Sequence, residues 1–181
     1  MKTRLVLAIV FLWSAGWAAA DTPPTWDEFN VTSANKKFVA KVTVKDKMGK
    51  TERYNWSFAL SVYKTGDEAT PIWTCPFGHS GEPGGFLSDD GKHFAIVGFW
   101  YYDEPATTHI YREGKLIKSF AGKEFSLDKT KLRKTASHQL WWSDSEQPKF
   151  DGDKALVIPT IDGQVFRIDL QSLDLKPQRG K

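Results

Sequence analysis

Cysteine is almost absent from this chain: Cys75 is the only one in 181 residues. That excludes an intramolecular disulfide framework and every multi-cysteine zinc pattern. A large excess of one charge is lacking too. The formal net charge is +3, too small to point to nucleic acid by itself. After the first 20 residues no apolar run reaches the ~20 residues that a bilayer-spanning helix requires. Helical periodicity is nearly missing, and no Pro/Ser/Gly-rich linker divides the chain. What is present is 40% hydrophobic and 14% aromatic, the composition of a globular protein rather than a disordered or collagen-like one.

Residues 1–20 carry an address. Lys2 and Arg4 form a positive start, Leu5 to Trp13 an apolar stretch, and Ala18-Ala19-Ala20 a small-residue cleavage site. This is the pattern of a secretory signal peptide, with cleavage expected after Ala20 and a periplasmic or secreted mature protein. The mature chain then begins at Asp21 and has 161 residues with a formal charge of +1. In an oxidising compartment Cys75 reads either as a buried small hydrophobe or as a thiol open to an intermolecular disulfide.

Period-two alternation dominates the rest. Phe38, Ala40, Val42 and Val44 alternate with Lys41, Thr43 and Lys45, and Trp56, Phe58, Leu60 and Val62 repeat the pattern. Such runs are half-buried strands. Gly-containing turns separate them, among them Asp89-Asp90-Gly91, Asp151-Gly152-Asp153 and Asp162-Gly163. Only 126–133 suggests helix, with Ser126 as a cap and Leu127 and Leu132 along one side. One domain is expected over 21–175, followed by a flexible tail over 176–181.

An internal repeat is visible. Residues 33–42 align without gaps to 88–97, and a third copy starts at Asp151. Each copy is followed by a second strand (54–63, 107–112, 164–170) and a short third one (71–74, 115–120, 172–175). Leu87-Ser88-Asp89-Asp90-Gly91-Lys92-His93-Phe94-Ala95-Ile96-Val97 resembles the signature of WD40-like repeats in exported β-propellers, with Asp89 where the family usually has Pro. The resemblance is best over 88–120 and implies blade-like hairpin units, with no particular activity attached. Three units fall short of the roughly four to eight blades of a closed ring. The expected fold is therefore all-β, with packed antiparallel sheets arranged as a partial propeller or a sandwich.

Chemical motifs are sparse. Gly78-His79-Ser80-Gly81-Glu82 nearly spells a nucleophile elbow, but Glu82 replaces the last glycine and no βαβ setting exists. Cys75, His79 and His93 are a conceivable metal set, though scattered histidines in strands more often make hydrogen bonds. Asp151-Gly152-Asp153 falls short of a calcium loop. No metal ligand set and no cofactor fingerprint stands out.

The aromatic clusters are more informative. Phe99-Trp100-Tyr101-Tyr102 and Trp141-Trp142 are both followed by polar loops. Adjacent strand residues face opposite ways, so one ring of each pair should point outward unless both sheet faces are covered. Trp100, Tyr102, Trp141 and Trp142 are the candidate ligand- or partner-binding residues. Charge is also uneven: 112–134 holds eight Lys/Arg against three acids, and 135–175 seven acids against three bases, a pattern usual for solvated faces. The sequence reading is an exported soluble binding or interaction protein. Its partner would be a protein, peptide or glycan, or a second copy of the chain; export argues against nucleic acid. The alternative is a small exported hydrolase using His79, His93, His138 and nearby carboxylates.

Overall fold

A computed structural model describes residues 23–142 and 145–178. The proposed signal peptide lies outside the described residues. Strands β1 (Phe29–Thr32), β2 (Phe38–Asp46), β3 (Ser57–Lys64) and β4 (Trp73–Phe77) form a first antiparallel sheet in chain order. The second sheet holds β5 (Phe86–Leu87), β6 (His93–Val97), β7 (Ala106–Arg112) and β8 (Lys115–Ala121). A two-stranded ribbon, β9 (Arg133–Lys134) with β10 (Gln139–Leu140), precedes the third sheet. That sheet contains β11 (Lys149–Asp151), β12 (Ala155–Pro159), β13 (Val165–Asp169) and β14 (Leu175–Gln178). The protein is thus all-β, and among the described residues the sheets do not close into a ring.

The sheets stack in series, which explains their burial patterns. In the first sheet, Ala40, Val42, Phe58, Leu60 and Val62 pack against Leu87, Phe94, Ile96 and Tyr111 of the second. The other face of the second sheet, with Ala95, Val97, Ile110 and Phe120, packs on Leu156, Ile158, Phe166 and Ile168 of the third. The middle sheet is therefore covered on both sides, and all five residues of β6 are buried. In β3, which has one covered face, Phe58, Leu60 and Val62 alternate with more exposed neighbours.

Two of the three aligned turns share their hydrogen bonds. Ser33 Oγ donates to Asn35 Oδ1 at 2.8 Å and accepts the Phe38 N–H at 3.1 Å. Fifty-five positions on, Ser88 Oγ donates to Asp90 Oδ1 at 2.6 Å and accepts the His93 N–H at 2.9 Å. The two turns also clasp each other, since the Asn35 N–H and side-chain amide both donate to Asp89, each at 2.8 Å. Gly91 makes the close approach possible. Its φ is +71°, and a Cβ there would stand 2.5 Å from the Phe38 ring.

One local expectation is corrected. No helix forms over 126–133. A single 3₁₀ turn lies upstream at Gly122–Phe125, and Ser126 ends it in the left-handed conformation. Leu127 and Leu132 are buried all the same, so their burial is delivered by an irregular segment laid on the core. Residues 176–178 belong to β14 and pair with β13.

Candidate functional site

The segment 98–102 leaves β6 and runs beside the β9–β10 ribbon. The Tyr101 N–H donates to the Gln139 carbonyl at 2.7 Å, and Trp100 bridges Leu140. The segment is irregular apart from that bridge, and its rings divide between core and surface. Tyr101 turns inward, with its hydroxyl on Asp103 at 2.8 Å, while Trp100 is half-buried and Tyr102 is 38% exposed. The ribbon brings His138 onto Trp100, stacked at 4.8 Å with 29° between the rings. Tyr102 meets His138 edge-on at 6.0 Å. Phe99 stands edge-on to both Trp100, at 5.4 Å, and Trp142, at 4.8 Å.

Trp141 and Trp142 are placed elsewhere. They are 0% and 8% exposed, and both indole N–H groups donate to the Gly98 carbonyl, at 2.6 and 2.9 Å. They follow β10 in irregular chain, where alternation does not apply, and both rings turn inward. Trp141 offers no surface to a ligand. Trp142 lines a cavity of about 370 Å³ together with Phe86 and Phe99.

Two further cavities flank Trp100. One, of about 400 Å³, lies between Pro24, Trp26, Phe99, Trp100, Tyr102 and His138. The other, of about 230 Å³, is lined by Trp100, Tyr102, Thr107 and His109. Thr107 is buried and its Oγ1 has no hydrogen-bond partner among the described residues. One residue lines all three cavities: Glu82. Its Oε2 accepts the Phe99 N–H at 2.9 Å. Burial pushes the Glu82 carboxyl above the usual carboxylate range, and the Phe99 hydrogen bond and His138 pull the other way.

The loop carrying Glu82 is held from both sides. The Gly81 N–H donates to His79 Nδ1 at 3.0 Å, which leaves the proton on Nε2, and that nitrogen reaches the Asp27 carbonyl at 3.0 Å. The Thr25 N–H donates to the Gly81 carbonyl at 2.7 Å. Gly81 has φ +86°, and a Cβ there would lie 3.0 Å from the Trp26 ring, so the segment 23–26 sits directly on the loop. Sequence reasoning singled out this loop for Ser80. Its distinctive group is Glu82, the residue that breaks the elbow pattern.

The other candidates do not assemble. Ser80 is exposed and the ring nitrogens of His79 are engaged with the backbone, so no base is positioned beside it. His93 is buried between the second and third sheets, with Phe150 at 6.4 Å, and lines neither lobe beside Trp100. Cys75 is free and buried, and burial pushes its thiol up, away from the reactive thiolate. No cluster of His, Cys, Asp or Glu suited to a metal occurs among the described residues. The Asp151–Asp153 turn is exposed. No described helix is long and apolar enough to cross a membrane. No protein-family model matches the chain, and no curated protein matches its sequence.

Proposed function

We propose that this chain is an exported binding protein that captures a small ligand in the cleft beside Trp100. The observation that carries the reading is convergence: Trp100 and Tyr102, His138 and Glu82 come from three separate segments and line one cavity of about 400 Å³. That size and that mix, mostly apolar walls with a few polar groups, suit a small-molecule site. The leader-like residues 1–20 support export, and the likeness of 88–120 to exported propeller repeats supports a scaffold that presents loops rather than one built for a fixed chemistry.

The test uses the mature chain, titrated with short oligosaccharides, peptides and amines by calorimetry and tryptophan fluorescence. At least one class should bind. Trp100→Ala should weaken that binding at least about tenfold, the loss of one well-placed aromatic contact, while far-UV circular dichroism stays unchanged. Unaltered affinity in the folded variant would reject the cleft.

A further inference from the structure

Among the described residues, Glu82 is the only acidic one on the three cavities it joins, and none of them is lined by Lys or Arg. Its neighbours there are rings: Trp26, Phe99, Trp100 and Tyr102. Elsewhere the protein supplies its own cations to such groups. Lys47 lies over Trp56 at 5.1 Å, Lys118 over Phe120 at 5.1 Å and Lys129 over Tyr101 at 5.7 Å. Some exposed acids are matched in the same way, Asp151 by Arg167 at 2.7 Å and Asp103 by Lys129 at 2.6 Å. Around Glu82 that complement is missing. Among the described residues no Lys or Arg pairs with its carboxylate or lies over Trp26, Phe99 or Trp100.

A half-buried carboxylate with no Lys or Arg beside it is costly to keep. Aromatic faces attract a cation through their quadrupoles, and best when it is desolvated. Together these groups make a site complementary to positive charge. The kind of cation follows from the walls. A primary ammonium needs three directed acceptors, whereas beyond one carboxylate and the hydroxyls of Thr25, Ser80 and Tyr102 the cleft is mainly ring and proline surface. A charge spread over methyl groups needs no directed acceptors and gains from the rings.

We propose that the Glu82 cleft binds an alkylated ammonium group, held by the Glu82 carboxylate and the surrounding aromatic rings. This deepens the reading of the cleft as a ligand site and rests on it. Glu82 supplies the counter-charge, and Trp100 and Phe99 supply the apolar and cation–π surface. The third cavity, beyond Phe99 and lined by Trp142, gives room for whatever the ammonium group is attached to.

The probe is choline, compared with its neutral isostere 3,3-dimethylbutan-1-ol, by calorimetry on the mature chain at neutral pH. Choline should bind at least about tenfold more tightly than the alcohol, the scale of a desolvated cation–π contact with a carboxylate. Glu82→Gln keeps the shape and the acceptor for the Phe99 N–H but removes the charge. It should bring choline down to the level of the alcohol and leave the alcohol unchanged. Trp100→Ala should weaken both, and if that variant does not fold, Glu82→Gln alone decides. Equal binding of the two probes, or choline binding untouched by Glu82→Gln, would overturn the proposal. If neither probe binds while a neutral sugar or peptide is captured in a Trp100-dependent way, the cation assignment falls and the cleft stands. If no titrant binds at all, both fall.

Discussion

Arg112 Nε donates a hydrogen bond of 2.9 Å to His93 Nε2, and the same guanidinium donates to the Leu170 carbonyl. One side chain of the second sheet thus joins a buried imidazole to the end of the third. As an acceptor, Nε2 carries no proton, so the neutral ring holds its proton on Nδ1. That atom has no hydrogen-bond partner, and Asp90 Oδ1 is 3.9 Å away.

Burial lowers the His93 pKa, with Arg112 and Lys92 adding to the effect and Asp90 and Glu113 opposing it. The folded protein therefore favours the neutral ring. Its contribution to stability is fully present above the unfolded value of about 6.5 and is lost as pH falls from there through the depressed folded value. Thermal melts from neutral to mildly acidic pH should show stability falling in that window. His79 and His109 are lowered by burial in the same direction and share the slope. His93→Gln, which keeps an acceptor for Arg112, should make the slope shallower. A variant with the wild-type slope would remove His93 from this account.

The matched turns predict matched but unequal losses. Ser88→Ala removes the side-chain acceptor of the buried His93 N–H as well as the bond to Asp90. Leaving a buried donor unpaired costs about 2 kcal/mol. Ser33→Ala breaks the same bonds around Phe38, where the site is only part-buried and water can substitute, and should cost about 1 kcal/mol. Urea unfolding with unchanged m-values reads both. A Ser33→Ala loss as large as that of Ser88→Ala would contradict the burial argument.

How far the sequence could be read depended on segment length and on range. Alternation located β2, β3 and β13, each of five to nine residues, and the internal repeat placed β6, β7, β8 and β12. Alternation missed the opening strand of each sheet, β1, β5 and β11, since two to four residues are too few to show a period. Trp100 and Tyr102 followed from the same alternation. Glu82 and His138 did not, because loops carry them and only long-range folding sets them beside Trp100. The one local clue was a lone acid in the glycine- and proline-rich stretch 78–85.

Trp141 and Trp142 should separate in cost. Trp141 is wholly enclosed, with Phe125 at 4.8 Å, and Trp141→Ala should lose about 4 kcal/mol. Trp142 borders the cavity of about 370 Å³, which spares part of the cost of a new void, so Trp142→Ala should lose about 2 kcal/mol. Either single variant leaves the Gly98 carbonyl one indole donor. Denaturant unfolding decides this, and equal losses would mean that the cavity does not relieve the Trp142 site.

Glu82 should be a residue held at a cost to stability. Burial raises its folded pKa above that of the unfolded chain, although the Phe99 N–H and His138 pull the other way. The fold therefore prefers the protonated carboxyl. That preference stabilises fully below the unfolded value and is lost as pH rises through the folded one. Glu82→Gln, neutral at every pH, should melt at the same temperature as wild type in acid and at a higher temperature at neutral pH. The difference should grow across the range in which wild-type Glu82 ionises. Choline affinity of the wild type should rise over that same range, since the carboxylate is the form that attracts a cation. A residue whose removal stabilises the protein and abolishes capture is selected for binding, not for folding. If Glu82→Gln lowers the neutral-pH melting temperature instead, the ionised carboxylate itself stabilises the fold, and Glu82 is held for folding rather than for binding.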